Sequence, residues 1–149
     1  MDISLFASFS GRVNRAKFWL AILIYVVIYM VLFVLAMVLG QGSIMQILGF
    51  IVGILIFISS IAVGIKRLHD RNKSGWWLLL FYVVPGILSG IGMFMAIYGA
   101  VGGSGSTGIL GIVLNVAALA ISIWAFVELG CLRGTTGANQ YGPDPLAGV

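Results

Sequence analysis

The sequence predicts an all-α integral membrane protein, a four-transmembrane-helix bundle with both termini on the cytoplasmic side. Three observations carry that prediction. First, 61% of the 149 residues are hydrophobic and 8% are charged, with a mean hydropathy of +1.16. Soluble domains carry about 25% charged residues to cover their surface, so a soluble fold of this composition would expose large apolar patches and aggregate. Second, the stretches 18–40, 44–65, 76–98 and 109–132 are free of charge except for Glu128 in the last. Each reaches the roughly 20 residues that a helix rising about 1.5 Å per residue needs to cross about 30 Å of hydrocarbon. Third, the eight Lys and Arg and the four Asp and Glu fall in or beside the segments 1–17, 66–75 and 133–149, which a four-pass chain places on one side.

The elements follow in order as a single membrane domain, 1–149. In lipid only helices and closed barrels satisfy their backbone groups, and the continuous apolar runs lack the alternation of barrel strands. The segment 1–17 carries Arg12, Arg15 and Lys17 ahead of the first run. That outline resembles a signal peptide, but the run is about twice the length of a signal core, so it reads as a permanent helix. The second span contains Gly49 and Gly53, and the third Gly86 and Gly90, small residues four apart that permit close helix approach in lipid. Pro85-Gly86 is expected to kink or loosen the third span, because proline removes a ladder donor. The turn 99–108 is glycine-rich and reads as mobile. The fourth span ends near Cys131, the only cysteine, so no intrachain disulfide is available and its reading is helix packing.

Short links force the helices to alternate direction. The Lys and Arg count is then eight on one side and none in the turns 41–43 and 99–108, which by the positive-inside rule makes the basic side cytoplasmic. Trp19, Trp76 and Trp77 start spans on that side, where an indole keeps its N–H wet and its ring in lipid. Trp124 lies about two turns before the end of the fourth span, and Tyr98 is the anchor on the outer side.

Three segments hold nearly all the polar information. With Ser10 as a helix cap, Arg12, Arg15 and Trp19 would lie on one helical face. In 66–77, Asp70 can pair back to Lys66 or Arg67 while the helix lasts. The tail contains Asn139-Gln140-Tyr141-Gly142-Pro143-Asp144-Pro145, a turn-rich run.

These motifs carry a resemblance. Gly11-Arg12 with Arg15 and Phe18-Trp19, then Arg67-Leu68-His69-Asp70 with Ser74-Gly75-Trp76-Trp77, then Gly137, Asn139, Tyr141, Gly142, Pro143 and Pro145 together resemble the DUF805 family of small bacterial inner-membrane proteins, named for having no known function. The resemblance spans essentially the whole chain and implies no catalytic residue. Lys66 departs from the arginine frequent in the family, keeping the charge without the planar fork.

His69 is the only histidine, so a multi-histidine metal site is impossible. A site from His69, Asp70 and Asp144 lacks any recognised spacing, and structural hydrogen bonding is the better reading. Glu128, about 6 Å from the end of its span at 1.5 Å per residue, reads as a salt bridge closing the bundle, with ion coupling as the alternative. Asn115, Ser59, Ser60, Ser89 and Ser122 form no continuous polar track, and hydroxyls of this kind are satisfied by their own helices. The favoured function is a non-enzymatic membrane module. Its cytoplasmic collar of Arg12, Arg15, Trp19, Arg67, His69, Asp70, Trp76, Trp77, Glu128, Asn139, Tyr141 and Asp144 would contact anionic lipid headgroups or a protein partner. The alternative is a small channel or transporter, as a monomer or an oligomer, using Glu128. A third reading is a membrane enzyme in which His69, Asp70, Asp144 and Tyr141 converge. No cofactor and no nucleic-acid partner is expected.

Overall fold

The computed structural model describes residues 4–40 and 42–147. Among them the regular structure is entirely helical: α1 (Ser4–Ala7), α2 (Arg15–Leu39), α3 (Ser43–Asp70), α4 (Leu79–Val101) and α5 (Gly105–Cys131). The last four are each long and apolar enough to cross a membrane. The chain forms two compact units, Met1–Gly75 with Arg133–Val149, and Trp76–Leu132.

In the first unit, α2 begins at Arg15 because Asn14 caps it. The Asn14 Oδ1 accepts the Lys17 N–H at 2.9 Å, which satisfies one of the orphan donors of the first turn. This corrects the expectation of a Ser10 cap. Gly11 has φ 92°, a left-handed conformation that ends any helical run before Asn14, and Ser10 instead bonds locally to Ser8. Arg12 is therefore outside the helix, while Arg15 and Trp19 still share a face one turn apart.

The helix α3 continues to Asp70, so Lys66 to Asp70 are helical rather than part of a connecting segment. Its end is a complete Schellman motif with Asn72 in the left-handed position, φ 57°. The Lys73 N–H reaches back to Leu68 O at 2.9 Å and the Asn72 N–H to His69 O at 3.0 Å, the pairing that motif requires. Burial in α3 concentrates in this last stretch, from Ala62 to Asp70. α2 and α3 are also tied by Tyr25 and Ser59, whose hydroxyls lie 2.7 Å apart. Ser60, Ser89 and Ser122 bond back to carbonyls of their own helices instead.

In the second unit, α4 opens with a π-helical turn, Leu79–Val83, immediately before Pro85. The Val84 N–H bonds to Leu79 O, and this wider turn relieves the clash a proline ring makes with the preceding turn. The loosening expected at Pro85 takes that form. α5 ends in a second π turn, Val127–Cys131, closed by the Leu132 N–H on Val127 O at 3.1 Å.

The two helices of this unit approach through glycines other than those singled out from the sequence. A Cβ on Gly111 would lie 2.5 Å from Ala96 N and 2.6 Å from Gly92 O. One on Gly99 would lie 2.5 Å from the backbone of Gly108. Gly49, Gly53, Gly86 and Gly90 face open space, with nothing within 4 Å of a Cβ. Of the glycines in the turn 99–108, Gly99 and Gly108 serve packing, whereas Gly102 and Gly105 have nothing within 4 Å of a Cβ; α4 runs on to Val101, and α5 starts at Gly105 under a Ser104 cap.

Candidate functional site: a polar cap on the end of α3

An α-helix leaves its last four carbonyls unpaired and carries partial negative charge at that end. In this chain the end of α3 gathers the N-terminal segment and the tail onto itself. The Val13 N–H bonds to Lys66 O at 3.2 Å, and the Thr135 N–H and hydroxyl reach Asp70 O at 2.8 and 3.1 Å. Asn139 donates its Nδ2 to His69 O at 2.9 Å and to Thr135 Oγ1 at 2.8 Å, and accepts the Tyr141 N–H at 2.9 Å. Asn139 and Gly142 also exchange both backbone hydrogen bonds, closing a tight turn.

At the centre is the Asp70 carboxylate, its side chain 3% exposed. Arg12 donates Nε and Nη2 to Oδ1, both at 3.1 Å, and Arg67 donates Nη1 to Oδ2 at 2.5 Å. The other Arg12 hydrogens go to carbonyls: Nη1 to Gly137 at 2.7 Å and Gly142 at 3.3 Å, Nη2 to Thr135 at 2.6 Å. All five guanidinium donors are thereby used, with the side chain 1% exposed. Such a hub needs a planar fork, which lysine lacks. Gly134 stands where a Cβ would run into the Asp70 carboxylate.

The other sequence-derived polar residues of this unit are engaged as well. His69 donates Nδ1–H to Gly11 O at 3.3 Å, and its ring stacks on Tyr141 with centroids 3.8 Å apart and planes 3° off parallel. Asp144 accepts the amides of Leu146 and Gly137, each at 2.9 Å. Those two hydrogen bonds hold its carboxyl below its ordinary value of 3.8. Both carboxylates thus accept arginine or amide donors on each of their oxygens, and no group of three potential metal ligands occurs among the described residues.

Of the collar residues, Arg12, Arg67, His69, Asp70, Asn139, Tyr141 and Asp144 meet in this cap. Arg15 and Trp19 lie on the first turns of α2, both exposed. Trp76, Trp77 and Glu128 belong to the second unit. There Trp77, Phe81 and Trp124 form an aromatic cluster with centroids 5.3 to 5.9 Å apart. Glu128 is buried within the second π turn.

Sequence reading missed Asn14, Gly134, Thr135 and the carbonyl of Leu5, which receives the Lys66 Nζ at 2.6 Å. Only Asn14 had a sequence signal, an amide side chain placed just ahead of an apolar run. Carbonyl acceptors and a missing Cβ have none.

Beside the cap, within the same unit, lies a cavity of about 140 Å³. Its walls are Asn14 and Arg15 from the start of α2, Arg133, Gly134 and Thr135 from the start of the tail, and the edges of Asp70, Asp144 and Leu146.

Comparison with known proteins places the family described as "Protein of unknown function (DUF805)" over residues 6–143. The chain is similar to Inner membrane protein YhaH of Escherichia coli (strain K12), 32% identical over 142 residues, covering 94% of this chain and 88% of that one. It is 27% identical over 143 residues to Inner membrane protein YhaI of the same strain, covering 96% and 90%. Uncharacterized protein YiiR of that strain is 34% identical over 141 residues, covering 92% and 85%. No solved structure matches.

Proposed function

The chain belongs to the DUF805 family, and on that premise we propose that it is a non-enzymatic module of the bacterial inner membrane, with its folded polar cap on the cytoplasmic face and an outer ring of cations on anionic headgroups. One observation carries the reading. The cap residues that could do chemistry, His69, Asp70, Asn139 and Asp144, are spent on holding chain to chain. The exposed side chains of Arg15, Lys17 and Arg133, by contrast, have no hydrogen bond or ion pair among the described residues. Arg15 and Lys17 lie in the first turn of α2, where cations work against the helix dipole. An anionic surface compensates that placement, and each basic residue near such a surface contributes about 1 kcal/mol. The names of two relatives as inner membrane proteins support the location.

Orientation has a direct test in Cys131, the only cysteine and exposed at the end of α5. A membrane-impermeant maleimide should label it in inverted inner-membrane vesicles and leave it unlabelled in spheroplasts. Labelling in spheroplasts would overturn the cytoplasmic placement of the cap. Headgroup contact is tested by native mass spectrometry of the full chain. Phosphatidylglycerol should be retained over phosphatidylcholine, and equal retention counts against the reading.

A further inference from the structure

The cavity beside the cap combines features that the chain's own packing does not require. Its volume of about 140 Å³, well above the roughly 30 Å³ that one water takes up in the liquid, leaves room for a group the size of a phosphate. Asp70 and Asp144 reach its edge, but each has both carboxylate oxygens occupied by donors from within the protein. Arg15 of α2 and Arg133 of the tail both line it and, among the described residues, carry no side-chain hydrogen bond or ion pair. Guanidinium forks of this kind match pairs of phosphate oxygens. Five arginines (12, 15, 67, 71 and 133) against two aspartates leave the neighbourhood with a formal net charge of +3. Trp19, one turn along α2 from Arg15 and exposed, sets this end of the helix at the depth where indoles meet headgroups.

We propose that this cavity is a binding site for a single phosphate group, held between Arg15 and Arg133. A phospholipid headgroup and a free phosphate share that chemistry. The lipid source rests on the headgroup reading above, whereas the site itself does not.

The full chain in detergent is tested by native mass spectrometry with phosphatidylglycerol and phosphatidylcholine, and by phosphorus NMR titration with inorganic phosphate. Arg15→Gln and Arg133→Gln are compared with Lys17→Gln, which removes a charge from the same turn without touching the cavity. The replaced side chains have no hydrogen-bond or ion-pair partner among the described residues, so all three variants should keep the wild-type melting temperature. Arg15→Gln and Arg133→Gln should each reduce phosphatidylglycerol retention at least fivefold beyond any loss that Lys17→Gln causes. Inorganic phosphate should show the same dependence. Should phosphate bind with that dependence while phosphatidylglycerol is retained no better than phosphatidylcholine, the site stands with a soluble source and the headgroup reading fails. Equal losses from all three variants would overturn the site and leave general headgroup attraction intact. Binding of neither probe overturns both.

Discussion

Replacing Asp70 with Asn removes one charge and almost no volume, which makes it the sharpest perturbation of the cap. The Asn Oδ1 can still accept from Arg12, but its Nδ2 then meets Arg67 Nη1 donor against donor, where the carboxylate now accepts at 2.5 Å. Two guanidiniums 1% and 0% exposed are left facing a neutral group. Removing one member of a buried ion pair costs about 3–5 kcal/mol. The three bonds share one carboxylate, so their separate values do not add. At 1.4 kcal/mol per tenfold, the opening constant of the cap should rise by about two to three and a half decades. Hydrogen exchange on the full chain in phosphatidylglycerol nanodiscs reads this at the Thr135, Asn139 and Gly142 amides, whose acceptors lie within the cap. Amides in the middle of α5 serve as the reference. Protection at Thr135 and Gly142 within threefold of wild type would refute the claim that Asp70 holds the tail to α3.

Gly134→Ala puts a methyl into a carboxylate fixed by two arginines, and overpacking of that kind should raise cap exchange by about 1–3 kcal/mol. Gly111→Ala should lower the melting temperature of the full chain by a similar free energy, because its methyl meets the α4 backbone. Gly90→Ala, facing open space, should leave the melting temperature unchanged, and equal effects would refute the close approach. Asp144 has a folded pKa below its ordinary 3.8, chiefly through the Leu146 and Gly137 amides. Its contribution is therefore fully present above 3.8 and is lost as pH falls through the lower folded value. Amide shifts of Gly137 and Leu146 should move together in that acidic window, and Asp144→Asn should abolish the movement; a transition near neutral pH would contradict it.

The spanning helices were legible because length and apolarity alone decide them. Their ends were less so, since polar residues such as Lys66 to Asp70 remain helical when tertiary partners take up their carbonyls. The cap was half legible. Asp70 with Arg67 follows from helical spacing, whereas Arg12, 58 residues away, is brought in by a fold that spacing does not encode. Ser10 and Asn14 both suit a helix cap, and the left-handed Gly11 between them favours the second. Glycine spacing alone did not distinguish the open Gly49 and Gly53 from the packed Gly92, Gly99 and Gly111, because whether a Cβ has room depends on the neighbouring helix.

Lipid selectivity tests the central claim most directly. Electron spin resonance on the full chain, reconstituted with spin-labelled phosphatidylglycerol or phosphatidylcholine, gives the relative association of each with the protein. At about 1 kcal/mol, or about fivefold, per basic residue at an anionic surface, the wild type should prefer phosphatidylglycerol severalfold. Joint replacement of Arg15, Lys17 and Arg133 by Gln should bring that preference close to unity with the cap intact. A wild-type preference of unity, or one that the triple replacement leaves unchanged, would contradict the account.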